Sequence, residues 1–143
     1  MSKLRKTILD GNFNEAYEIV RKMERKQICE DLISISFDTQ NMLAYGFVMY
    51  VLSKEETVEW HSIASSLLIN SYIVMEGAGQ LAYIHAKKAL ELDSSSYLAL
   101  SDMMFLARHP DTNGTEEDFE YAKKKIVDLY PDSDILTMQY YSW

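Results

Sequence analysis

The residues through which this chain could do chemistry are three histidines, one cysteine and some short acidic runs. The strongest pairing lies in "HSIAS", where His61 and Ser65 stand four apart and so share a helix face. A Ser–His nucleophile also needs an orienting acid and an oxyanion donor, and a helix interior has no spare backbone N–H to act as that donor. His61 therefore reads as a partly buried histidine, and His85 in "AYIHAKKAL" as one facing a neighbouring helix or solvent. The lone Cys29 cannot form an internal disulfide and reads as a buried thiol in a reducing compartment. The runs "CED" and "TEEDFE" lack the alternation and the glycine of a calcium loop. A phosphate-binding glycine loop, a zinc-type HExxH and paired cysteines are all missing from the sequence. Asn113-Gly114-Thr115 fits the glycosylation sequon, which matters only in a secreted chain. The expectation is a protein without catalysis, cofactor or metal.

At 143 residues the chain reads as a single domain, 1–143, long enough for a core that needs no disulfide. Five glycines and two prolines leave too little punctuation for an all-β fold, so the expected class is all-α. "MSKLRKTILD" has no apolar run after its basic residues and does not read as a secretory signal. The apolar run "MLAYGFVMYVL" has 11 residues, short of the roughly 18 to 20 of a membrane span. A soluble, cytoplasmic protein with no membrane partner is expected.

The net charge of −8 is unevenly spread. Residues 1–28 carry +3, residues 29–76 carry −6, and residues 77–143 carry −5. A molecule of this sign repels nucleic acid and attracts basic partners.

The elements that would position such a surface emerge from a recurring frame. After Gly11, residues five, nine and twelve on are Ala16, Val20 and Met23, all on one helical face. After Gly77 the same offsets hold Ala82, Ala86 and Ala89, and a third frame opens at Gly114. The spacings of 66 and 37 residues are near two units and one unit of the length typical of stacked helix pairs. On these residues, "GNFNEAYEIVRKM" and "AKKALELDSSSYLAL" resemble the second helix, and the turn after it, of the tetratricopeptide repeat. Phe119 and Lys123 depart from that pattern, so a splayed or re-registered third pair is expected. The resemblance implies stacked antiparallel helix pairs in an irregular tetratricopeptide-like array of about eight or nine helices.

Helices are predicted near 2–9, 13–26, 28–37, 40–52, 54–75, 79–92, 96–108, 116–129 and 134–141. "SKEE" (53–56) reads as a capping box, "TEED" (115–118) as its acidic relative, and Asn12 as a cap with Glu15 in the first turn. Residues 132–143 read as a C-terminal capping helix, with Tyr140, Tyr141 and Trp143 packing partly onto the array.

Ten tyrosines are more than a core absorbs, because each hydroxyl wants a partner, and such aromatics are enriched at protein interfaces. The resemblance further implies a concave groove lined by Glu30, Ile33, Phe37, Leu67, Ser71, Met75, Ser101, Phe105 and Arg108. With Arg108 its one cation, that groove suits a basic or apolar partner. The expected partner-binding residues are the acids Glu30, Asp31, Glu55, Glu56 and Glu59, together with Phe37, Tyr72, Met75 and Phe105. Two functions fit a rigid acidic helical surface. One is an immunity protein that binds and neutralises a basic, nuclease-type toxin domain; the other is a generic tetratricopeptide-like adaptor. The first is preferred because one short domain offers an adaptor no second module to connect.

Overall fold

The structure, a computed structural model, describes residues 1–137. Within them the chain is all-helical. The helices are α1 (Lys3–Leu9), α2 (Phe13–Val20), α3 (Arg25–Thr39), α4 (Leu43–Lys54), α5 (Val58–Asn70), α6 (Ala78–Leu92), α7 (Tyr97–Ala107) and α8 (Glu116–Leu129). A short 3-10 turn follows at Asp134–Thr137. No helix among the described residues is long and apolar enough to cross a membrane.

Local chemistry sets most starts. The side chains of Ser2, Thr57, Ser96 and Thr115 each accept a backbone N–H from the first turn of α1, α5, α7 and α8. Behind Thr115, Glu116, Glu117 and Asp118 place negative charge at the positive end of the α8 dipole. Asn12 occupies the cap position of α2 but makes no cap bond; its amide donates to Glu15 instead. The capping box expected at "SKEE" is corrected: Ser53 lies inside α4, where its hydroxyl donates back to the Tyr50 carbonyl. Four residues later Thr57 supplies the cap, so the predicted 54–75 helix is shortened to Val58–Asn70. The predicted 13–26 helix likewise stops at Val20, and α3 begins at Arg25.

Sequential helices pack as hairpins, α1 on α2, α3 on α4, α5 on α6 and α7 on α8. The odd-numbered helices also stack in order, α1 on α3, α3 on α5 and α5 on α7. That second set of contacts makes the hairpins an array. Small residues allow the approach: Ala82, Ala86 and Ala89 on α6 are buried, as is Ala16 on α2. Phe119, where the frame wanted a small residue, is enclosed at 1% exposure with the Arg108 guanidinium 3.5 Å from its ring centroid. The α7–α8 pair nevertheless remains closely packed.

The centre of the core is α5, nine of whose thirteen residues are buried. It contacts α3, α4, α6 and α7. Each fully buried Leu or Ile there, such as Ile63, Leu67 and Leu68, contributes about 1.5–3 kcal/mol by transfer from water. Glycine matters most at the α6 and α8 starts. A Cβ on Gly79 would sit 1.9 Å from the Asp111 carbonyl oxygen, and one on Gly114 2.4 Å from that of Ala107. Both clamp the 108–114 connection against the array.

The predicted helix 134–141 begins as the 3-10 turn, with Ile135 buried beside α8. The remainder of it, with Tyr140, Tyr141 and Trp143, lies outside the described residues.

Candidate functional site

Along the stack of odd helices, α7 carries one acid in an otherwise uncharged stretch, Asp102 in "YLALSDMMFLA". Its position, one turn from Phe105 and Leu106, points it toward α5. There the Ser62 hydroxyl bonds the carboxyl, while Oδ2 is shut away from solvent without a hydrogen-bond partner. Burial raises the Asp102 pKa to about 6, against the opposing pull of Ser62 and of Arg25. Beside the carboxyl is a small pocket of about 60 Å³, lined by Ser65, Ser66, Ile69, Asn70, Asp102, Phe105 and Leu106. Asn70 Nδ2 donates 2.8 Å to the Ser66 carbonyl, which leaves its Oδ1 as an acceptor. Cys29 of α3 adjoins this region and hydrogen-bonds Ser66, its thiol pushed up by burial. A thiol held protonated is a poor nucleophile.

The histidines form a second, separate cluster. His61 of α5 and His85 of α6 meet Nδ1 to Nδ1 at 2.9 Å. The outer nitrogens are also engaged, His85 Nε2 with the Tyr45 hydroxyl and His61 Nε2 with Glu56 Oε1, each at 2.9 Å. Because a carboxylate accepts only, His61 carries its proton on Nε2. His61 Nδ1 then accepts from His85 Nδ1–H, and His85 Nε2 accepts from Tyr45. One tautomer set satisfies the whole chain. Burial, followed by the charge of His61, lowers the His85 pKa to about 4. The His61–Ser65 pairing considered from sequence is not in place, since Ser65 Oγ donates 2.8 Å to the Ala82 carbonyl.

The expected partner-binding residues do not converge. Glu30 is exposed, 4.0 Å from Lys26, in a shallow depression with Glu24 and Gln27. Asp31 accepts from Gln27 at 2.8 Å. Glu55 is a staple rather than a free rim charge: Tyr17 and Trp60 Nε1 each donate to it at 3.0 Å. Glu56 is held by His61, and Glu59 is exposed in a depression of about 290 Å³ that also holds Arg21, Arg25 and Trp60. These acids therefore face interspersed cations rather than forming one acidic patch.

Among the apolar residues, Tyr72 is corrected outright. It is 1% exposed, with its hydroxyl donating 2.6 Å to the Asn41 carbonyl, and belongs to the core. Leu67 and Ser71 are buried too, Ser71 bonded to Ser36, so neither lines a groove. Phe37 is 64% exposed. Met75 is exposed beside an apolar hollow of about 360 Å³ shared with Met42, Leu81 and Ile84. Phe105 lines the Asp102 pocket and packs against His109, their ring centroids 5.7 Å apart. Sequence reading missed Asp102, although a single charge amid apolar residues was a visible signal.

Comparison of the chain with protein-family models, with curated proteins and with solved structures finds no match in any of the three. The fold itself defines the class, an all-α array of stacked helix hairpins.

Proposed function

We propose that this chain is a non-enzymatic protein-binding module for a basic partner, most concretely an immunity protein that neutralises a nuclease-type toxin domain. The supporting observation is how the charge is disposed. Lys3, Arg5, Lys6, Arg21, Lys26, Lys87, Lys88 and Arg108 each lie within ion-pair distance of an acid. Among the described residues, exposed acids such as Glu24, Glu59, Glu76, Glu117 and Asp128 make no ion pair, and neither do Lys22, Arg25, Lys54, Lys123, Lys124 and Lys125. The net −8 is thus available to steer a basic protein onto a rigid helical face. Nuclease domains are basic because they grip phosphate, which makes them apt targets.

The adaptor reading has its own support in the hollow beside Met42, Met75 and Ile84, which suits an apolar peptide side chain. Co-expression with the product of the adjacent upstream gene separates the two. The immunity reading expects that product to be lethal alone and harmless beside this protein. A product harmless alone, or still lethal in its presence, sinks that reading in favour of the adaptor.

A further inference from the structure

Large apolar side chains left in water singly are ordinary, whereas several on one continuous surface mark a place where something docks. Such a surface lies where the connection after α5 enters α6. Ile84 is 51% exposed and, with the exposed Met42 and Met75, lines the hollow of about 360 Å³. Val74, at 86% exposure, lines a second depression that shares Met75, Glu76, Gly77 and Gln80 with the first, so the two form one surface. Its shape is fixed from below. Ser71 and Tyr72 point inward, bonded to Ser36 and to the Asn41 carbonyl. The Met75 N–H bonds the Tyr72 carbonyl, the Ala78 N–H bonds the Met75 carbonyl, and Gly77 at φ 86° turns the chain at once into α6. Val74 and Met75 are thereby held outward.

Charge decides what this surface fits. Among the described residues, the charged ones lining the two depressions are the acids Glu76 and Asp111, with no Lys or Arg. Lys88, one turn beyond Ile84 on α6, is drawn to Glu91 at 3.3 Å. A second copy of the chain would bring a further net −8 and, across a twofold interface, set these acids against their like. Residues 138–143 carry no basic side chain to meet them, and an anionic membrane surface would be repelled. We propose that the face formed by Met42, Val74, Met75 and Ile84 docks a basic amphipathic helix of a protein partner. Apolar side chains of that helix seat in the hollow, where the two methionines adapt to their shape, and its lysines or arginines lie over Glu76 and Asp111. Only the assignment of that helix to a toxin domain rests on the reading above; the docking face does not.

The test is an amide NMR titration of the whole chain with a capped helical peptide of leucine and lysine, its leucines at i, i+4 spacing. The control peptide has glutamate at every lysine position. Saturable shifts at Val74, Met75, Gly77, Leu81 and Ile84 are expected with the lysine peptide and none with the control. Ile84→Ser and Met75→Ser, both at exposed positions, should each weaken binding several-fold with an unchanged melting curve. Glu76→Lys combined with Asp111→Lys should weaken it several-fold and flatten its salt dependence. Equal shifts with the glutamate peptide overturn the basic occupant. Shifts spread evenly to acids such as Glu117 and Asp128, and unmoved by Ile84→Ser, reduce the effect to bulk charge and overturn the face. Nuclear Overhauser contacts from the Trp143 indole to the Ile84 or Met75 methyl groups in the free chain would give the hollow to the chain's own end. A sedimentation coefficient that rises with concentration, except in Ile84→Ser, would give it to a second copy. Either result removes the partner helix. No toxin enters the titration, so failed rescue in co-expression counts against the toxin alone, and a silent titration counts against the face alone.

Discussion

The Nδ1 atoms of His61 and His85 lie 2.9 Å apart, so one proton stands between the two rings and there is no room for a second. A doubly protonated pair would set two N–H groups head to head inside the array.

The first prediction follows from that contact. His85 has a pKa of about 4 in the folded chain, below the ordinary 6.5. As pH falls between those values the unfolded chain takes up a proton that the folded chain refuses, so stability is lost on acidification. The size is about 3 kcal/mol. In urea titrations across this range, His85→Phe should lose the downward slope that the wild type owes to this group. A difference curve parallel to the pH axis would show that His85 titrates freely.

Asp102 acts with the opposite sign. Its folded pKa of about 6 exceeds the ordinary 3.8, so the folded chain keeps a proton that the unfolded chain has lost. Stability therefore falls as pH rises from about 4 to about 6, again by about 3 kcal/mol. Asp102→Asn should be more stable than the wild type at neutral pH, by about 1–3 kcal/mol, with the gain vanishing near pH 4. A variant destabilised equally at every pH would contradict a strained carboxylate.

Ala82→Leu and Ala89→Leu test the hairpin packing. Both positions are fully enclosed, Ala82 in the main core and Ala89 beside Val58 and Ala99. Added methylenes should cost about 1–3 kcal/mol at each. Two unchanged melting curves would refute the packing described for α6.

Glu55 and Glu59 are close in sequence but should behave differently. Glu59→Lys, at an exposed position that makes no ion pair among the described residues, should leave the melting temperature unchanged while slowing association with a basic partner and flattening its salt dependence. Glu55→Lys should also lower the melting temperature, because it removes the acceptor shared by Tyr17 and Trp60. Phe37→Ala should speed dissociation if that exposed ring is an anchor, by a cost of about 2 kcal/mol or more. Stopped-flow association and dissociation rates, measured beside thermal melts, resolve all three.

The sequence made some of this architecture readable because its signals were local. Thr115 followed by three acids placed α8 at 116–129, and the Gly77 frame placed α6 within one residue. The breaks after Val20 and before Val58 were not readable in the same way. Neither has a glycine or proline, and Ser53 presented a cap pattern while bonding backwards into α4. The His61–His85 contact joins residues 24 apart and needs the register of α5 against α6, which no local pattern encodes. Tyr72 misled because its hydroxyl partner, the Asn41 carbonyl, is a backbone group 31 residues away. The Asp102 pocket was half visible, as a lone charge in an apolar helix whose neighbour could not be named.

The encirclement of α5 by four other helices governs how the molecule comes apart. Arrays of stacked units open from their ends, because a terminal hairpin gives up one interface and an inner helix several. The amides of Ile63 to Leu68 should accordingly exchange with deuterium only when the whole chain unfolds, whereas those of α1 and α2 exchange through cheaper partial openings. A protease given native protein would nick the N-terminal hairpin first and leave the fragment around α5 intact longest.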